Sequence, residues 1–141
     1  MKKQHLVSSV LLLCLLVFAF SSCTKTDPSP SPTDPRASFT GTWNVSENWT
    51  KLVFQVTISI DASSSTGVFI DNFADAGAGV KTFATVSGNT ITIAGTPQTL
   101  SNGWIILSGS GSLTGTSRMN WGYVFTDQAT QYTAVAIFTK N

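Results

Sequence analysis

The sequence predicts an all-β domain, a small antiparallel up-and-down barrel of about eight strands. Three observations carry that reading. Runs of four to nine residues alternate apolar and polar side chains, the period of a half-buried strand. All eleven glycines follow residue 40, at intervals that suit turns. Nothing after residue 37 repeats at helical spacing over a useful length.

Taken in order, the first strand opens with Phe39-Thr40-Gly41-Thr42-Trp43. Leu52 to Ile60 is the longest early strand, with Phe54, Val56, Ile58 and Ile60 on one face. Asp61 to Gly67 is a loop, and Val68 and Ile70 share a face of the strand after it. Phe73 to Gly79 reads as a flexible stretch of small residues, and Val80 to Val86 as another strand. Ser87-Gly88-Asn89 turns the chain into Thr90 to Ile93, with Gly and Asn supplying the positive φ of a tight hairpin. Gly95-Thr96-Pro97 breaks the pattern. A strand begins at Trp104 and continues thinly through Ser108-Gly109-Ser110-Gly111 to Leu113, where the glycines suggest a bend or a close approach of backbones. Arg118 to Thr126 carries Met119, Trp121, Tyr123 and Phe125 on one face. After a turn at 127–130, Gln131 to Thr139 carries Tyr132, Ala134, Ala136 and Phe138 on one face and Val135 and Ile137 on the other.

The N-terminal quarter has a different character. Lys2 and Lys3 precede an apolar run of 15 residues, Leu6 to Phe20, too short for an ordinary spanning helix. Phe20-Ser21-Ser22-Cys23 resembles a bacterial lipobox, with Phe20 where Leu is usual. That resemblance implies a signal peptide over 1–22 and diacylglycerol on Cys23, a membrane anchor in which each buried CH₂ contributes about 0.8 kcal/mol. Ala19-Phe20-Ser21 also fits the small-x-small pattern of ordinary signal peptidase, which would leave Cys23 free. Thr24, where retained Gram-negative lipoproteins carry Asp, points by the same resemblance to the outer membrane, on either face. Residues 23–36 hold four of the five prolines and read as an extended tether reaching roughly 40 Å. The folded domain is then 37–141.

Composition excludes several functions. From Ala37 onward Lys51, Lys81, Arg118 and Lys140 face Glu47, Asp61, Asp71, Asp75 and Asp127, a net of 4 − 5 = −1. Without a basic patch, nucleic acid is not an expected partner. The only histidine, His5, and the cysteines, Cys14 and Cys23, precede the domain. Ser-His-Asp and Cys-His catalysis and His- or Cys-based zinc sites therefore have no residues to use. The four aspartates sit at or near turns, where solvation explains them without acid–base chemistry. Asp71-Asn72-Phe73-Ala74-Asp75-Ala76-Gly77 has three oxygen side chains but not the spacing of a calcium loop. Asn44-Val45-Ser46 and Asn48-Trp49-Thr50 match the glycosylation sequon, a chance match in a bacterial lipoprotein. No enzyme activity and no cofactor are expected, and nothing sets an oligomeric state.

Gly41-Thr42-Trp43, opening the first strand of an all-β domain, resembles the Gly-x-Trp signature of lipocalins and their calycin relatives. The succession Val86 to Ile93, Ser108-Gly109-Ser110-Gly111 and Tyr132-Thr133-Ala134 is similar to small lipocalin-like lipoproteins of Gram-negative bacteria. The resemblance covers 39–141. It implies a barrel whose closed end is plugged by Trp43 at Gly41, and a calyx for a small hydrophobic or amphipathic ligand. Phe54, Val56, Val68, Ile70, Trp104, Trp121 and Tyr123 would line that calyx. Lipocalins cover the Trp with an arginine of the last strand; here that strand offers Lys140, and Arg118 lies one strand earlier. The alternative is a barrel filled by its own side chains, an envelope interaction module whose rim loops contact glycan or protein. Trp49, in the first loop, is the candidate rim aromatic.

The lipobox reading predicts that radiolabelled palmitate is incorporated into the chain in a Gram-negative host and that Cys23→Ser abolishes the label. Equal labelling of the two forms would remove the anchor.

Overall fold

The computed structural model describes residues 33–49 and 53–141. The expected signal peptide, Cys23 and most of the expected tether fall outside the described residues, as do Thr50, Lys51 and Leu52. Nine strands are present: β1 (Gly41–Glu47), β2 (Val53–Ile60), β3 (Gly67–Asp71), β4 (Lys81–Ser87), β5 (Thr90–Ile93), β6 (Gln98–Thr99), β7 (Ile105–Leu113), β8 (Arg118–Thr126) and β9 (Gln131–Lys140). All pairings are antiparallel. Neighbours follow chain order, and β1–β9 and β5–β7 close the ring. Short β6 pairs with the start of β7 outside the ring, which leaves a closed barrel of eight strands with the architecture of a small lipocalin-like barrel. Helix is limited, among the described residues, to two 3₁₀ turns, Pro35–Ser38 and Phe73–Asp75.

Alternation sets the inner face. Trp43, Val45 and Glu47 of β1 are buried, as are Met119, Trp121, Tyr123 and Phe125 of β8. Large and small residues alternate across neighbouring strands. Trp121 stands between Gly111 of β7 and Ala136 of β9, and Tyr123 between Gly109 and Ala134. A Cβ on Gly111 would collide with the indole of Trp121, and one on Gly109 would lie 2.9 Å from both Tyr123 and Ile93. These glycines are the close approaches that their spacing suggests.

The ends of the barrel differ. At the closed end Trp43 is fully buried, and its Nε1 donates to the carbonyl of Phe39 at 2.8 Å. Lys140 Nζ sits 5.2 Å from the Trp43 ring centroid and donates to the Ser38 carbonyl at 3.1 Å. The lysine of the last strand thus takes the covering place over the indole, as a cation over a π face. Gly41 has a φ of 115°, a conformation that requires glycine. Arg36 pairs with Asp34 at 2.7 Å and donates to the carbonyls of Asp61, Ser64 and Gly67. It therefore satisfies main-chain acceptors of the β2–β3 loop, and the folded unit begins at Thr33, ahead of Ala37. In the β4–β5 turn only Gly88 takes a positive φ, 55°, and Asn89 does not.

At the opposite end the β1–β2, β3–β4, β5–β7 and β8–β9 connections gather. The 73–79 stretch, read from composition as flexible, carries the fully buried Phe73 and the buried Ala74 and Ala76. Small residues here bring one large ring inside. Asp71 and Asn72 tie the loop internally, accepting from the amides of Gly79 at 3.0 Å and Gly77 at 2.7 Å. Where β5 ends, the side-chain amide of Gln98 takes over the free edge of β4, accepting from Phe83 N at 2.9 Å and donating to Phe83 O at 2.7 Å. Trp104 lies just before β7, at this rim, and not within the strand as its neighbours suggest.

Gly111→Ala forces a methyl group into the indole of Trp121, and overpacking of this kind costs about 1–3 kcal/mol. Urea unfolding followed by near-UV circular dichroism measures it; an unchanged midpoint would mean that the indole is free to move aside.

Candidate functional site

The rings of the barrel form a continuous column. At the open rim Trp49 lies 5.4 Å from Trp104, 5.0 Å from Phe125 and 5.0 Å from Tyr132, centroid to centroid. Trp104 and Tyr132 stack on Phe125 at 4.8 and 5.2 Å. Phe125 meets Tyr123 at 5.8 Å, Tyr123 meets Phe73 at 4.8 Å, Phe73 meets Trp121 at 5.2 Å, and Trp121 stacks on Phe138 at 5.4 Å. Edge and offset contacts of this sort favour rings beyond their burial alone. Fully buried Phe125 supports the rim from below, whereas Trp49 remains 38% exposed.

One polar pair interrupts the column. Glu47, the last residue of β1, faces inward and is buried, and its carboxylate accepts from the hydroxyl of Tyr123. Burial, then the hydrogen bond to Glu47, pushes the Tyr123 hydroxyl far above the ordinary phenol range. Its proton therefore stays in place at any physiological pH. On the rim Asp127 accepts from the amides of Thr130 and Ala129, which hold its carboxyl below the usual range, and also from the Tyr132 hydroxyl at 3.1 Å.

The residues expected to line a calyx are placed as follows. Val56, Val68, Ile70, Trp121 and Tyr123 are buried in the interior, and Phe54 is half-buried opposite Val45. Trp104 is separate from them, half-buried in the rim cluster with Trp49. Trp43 and Gly41 sit together at the closed end. A cavity of about 370 Å³ opens at the closed end beside Ser38, Asn89, Leu113 and Lys140, and none of the expected calyx residues lines it. Among the described residues no group of three or more His, Cys, Asp or Glu side chains is placed to hold a metal ion. Cys23 lies outside the described residues.

Glu47, Phe73, Phe125 and Tyr132 belong to the site and were not singled out by the sequence as functional. Glu47 had a signal, because it continues the alternation Trp43, Val45, Glu47 to the inner face. Phe73 had none, since a loop aromatic among alanines carries no period.

Fold and site together define a closed lipocalin-like β-barrel with a ring-filled interior and an aromatic rim. No protein-family model matches the sequence, and no match is found among curated proteins.

Tyr123→Phe takes a donor from a buried carboxylate and is expected to cost about 1–3 kcal/mol. Its raised pKa means that folding holds the proton where an unfolded tyrosine, near 10, loses it, so stability is complete below that pH and falls as pH rises above it. Urea midpoints at neutral pH and above pH 10 test both points: the wild type loses stability in alkali, and the variant loses less. An equal alkaline loss in both would place the titrating group elsewhere.

Proposed function

We propose that this chain is a non-enzymatic, lipid-anchored module of the Gram-negative envelope that uses the rim of a filled barrel to contact glycan. One observation carries the reading: large side chains of the protein itself occupy the interior, while the rim cluster leaves the Trp49 indole 38% exposed on a base of three other rings. An immobilised, partly exposed indole suits stacking on the apolar face of a sugar ring. The connections at this end also expose Asn48, Gln128 and Thr130, uncharged groups of the kind that exchange hydrogen bonds with hydroxyls. Of the carboxylates at this end, Asp127 is held by the amides of Ala129 and Thr130 and Asp71 by the amide of Gly79. The chain enters the barrel at the closed end, where Arg36 holds the β2–β3 loop, opposite the rim. The resemblance to lipocalin-like lipoproteins supports the envelope setting.

The test is binding of the full chain to envelope polysaccharide, followed by co-sedimentation and by tryptophan emission. Trp49→Ala should weaken binding at least about tenfold, the loss typical of a central aromatic contact, while the barrel stays folded. Undiminished binding by the variant would move the contact surface away from the rim. Retention of a protein instead of polysaccharide, lost in the same variant, would keep the rim and replace the glycan.

A further inference from the structure

Phe73 belongs to no strand, yet its ring is fully buried and packs on Trp121 and Tyr123, inward residues of β8. A loop thus delivers a phenyl ring to the interior, where a barrel of this size can otherwise hold a small ligand. The backbone that delivers it is strained. Ala74 has a φ of 57°, in the left-handed region that a residue with a plain Cβ avoids; Asn72 and Asp75, at 62° and 53°, share that region as side-chain types that tolerate it better. Gly77 and Gly79 follow, with φ of 107° and 86°, conformations that glycine adopts at no steric cost. Ring packing therefore holds Phe73 in place against the preference of its own loop.

A second observation is independent of the first. Among the described residues two buried side-chain polar atoms have no hydrogen-bond partner: Nε1 of Trp121, the ring on which Phe73 packs, and Oγ1 of Thr82. Thr82 is the first inward residue of β4, immediately after the loop that carries Phe73. Trp121 is 2% exposed and Thr82 fully buried, so solvent satisfies neither. A phenyl ring offers them nothing.

We infer that Phe73 is a displaceable internal plug, and that the space it fills is a binding site for a small, neutral, planar aromatic molecule bearing a hydrogen-bond acceptor. The size follows from the phenyl ring being replaced. The planar shape follows from the walls, the rings of Trp121 and Tyr123, tilted 57° and 55° to that phenyl. The acceptor follows from the idle Nε1–H of Trp121, with the Thr82 hydroxyl as a second group able to donate. Neutrality follows from the cost of burying an unpaired charge among these fully enclosed rings. Fatty acids are thereby disfavoured.

The test uses the full chain in phosphatidylcholine nanodiscs, with acetophenone as probe, toluene as the same ring without an acceptor, and dodecanoate as an anionic chain. Binding is read from the Trp121 indole ¹⁵N–¹H resonance, and plug release from hydrogen exchange across 72–77. In the wild type, acetophenone should shift the indole signal and speed exchange in the loop. Phe73→Ala should bind acetophenone at least about tenfold more tightly, because the competing plug is gone. Adding Trp121→Phe should abolish the preference for acetophenone over toluene. A folded Phe73→Ala that binds no more tightly overturns the inference, as does a preference for dodecanoate. If Phe73→Ala does not fold, the wild type decides: an unshifted indole or unchanged loop exchange at saturating acetophenone overturns the plug.

Discussion

The indole of Trp121 and the two small residues that flank it, Gly111 and Ala136, fix the cross-section of this barrel. An eight-stranded ring has room for one layer of side chains at each level, and an indole uses most of it. The neighbouring strands must then present almost nothing there. The same exchange recurs one step toward the rim, where Tyr123 stands between Gly109 and Ala134. Small residues on β7 and β9 are thus the complement of large rings on β8. The interior is specified by matched volumes across three strands more than by the hydrophobicity of any one of them.

This explains which parts of the structure could be read directly from the sequence. Period-two alternation marked the strands of β8 and β9 to within a residue, because each has one face in the core and one in solvent. Gly109 and Gly111 were readable as close approaches because glycine in a strand has few other uses. Contacts set by tertiary packing were less readable. Trp104 sits beside an apolar run and reads as strand, yet it lies just before β7, where its ring stacks on Phe125. Arg36 looks like the last residue of a polar tether, and nothing in its neighbourhood in sequence announces the carbonyls of a loop about 30 residues away that it also holds. Phe73 was hidden in a run of small residues whose composition signals mobility, and only the rings of β8 explain its burial.

The candidate site follows the same division. Its aromatic members on β8 lay on a visible face, but their assembly into a column required the loop residues Trp49, Phe73 and Trp104, which no period connects. The column also separates two kinds of chemistry. Below the rim are rings and one fixed polar pair; at the rim are rings with open edges, among amides and hydroxyls.

The position of Arg36 also has a mechanical consequence. Any pull on the chain upstream of Thr33 reaches the barrel at Arg36, which grips the β2–β3 loop, and then at the first residues of β1. β1 is zipped on both sides, to β2 and to β9, with its ladders parallel to such a force. Strands loaded along their length share the force among all their hydrogen bonds, whereas a hairpin peeled from its end breaks them one at a time. A barrel held by that strand and gripped at its far rim would transmit tension from one end to the other without first opening its seam.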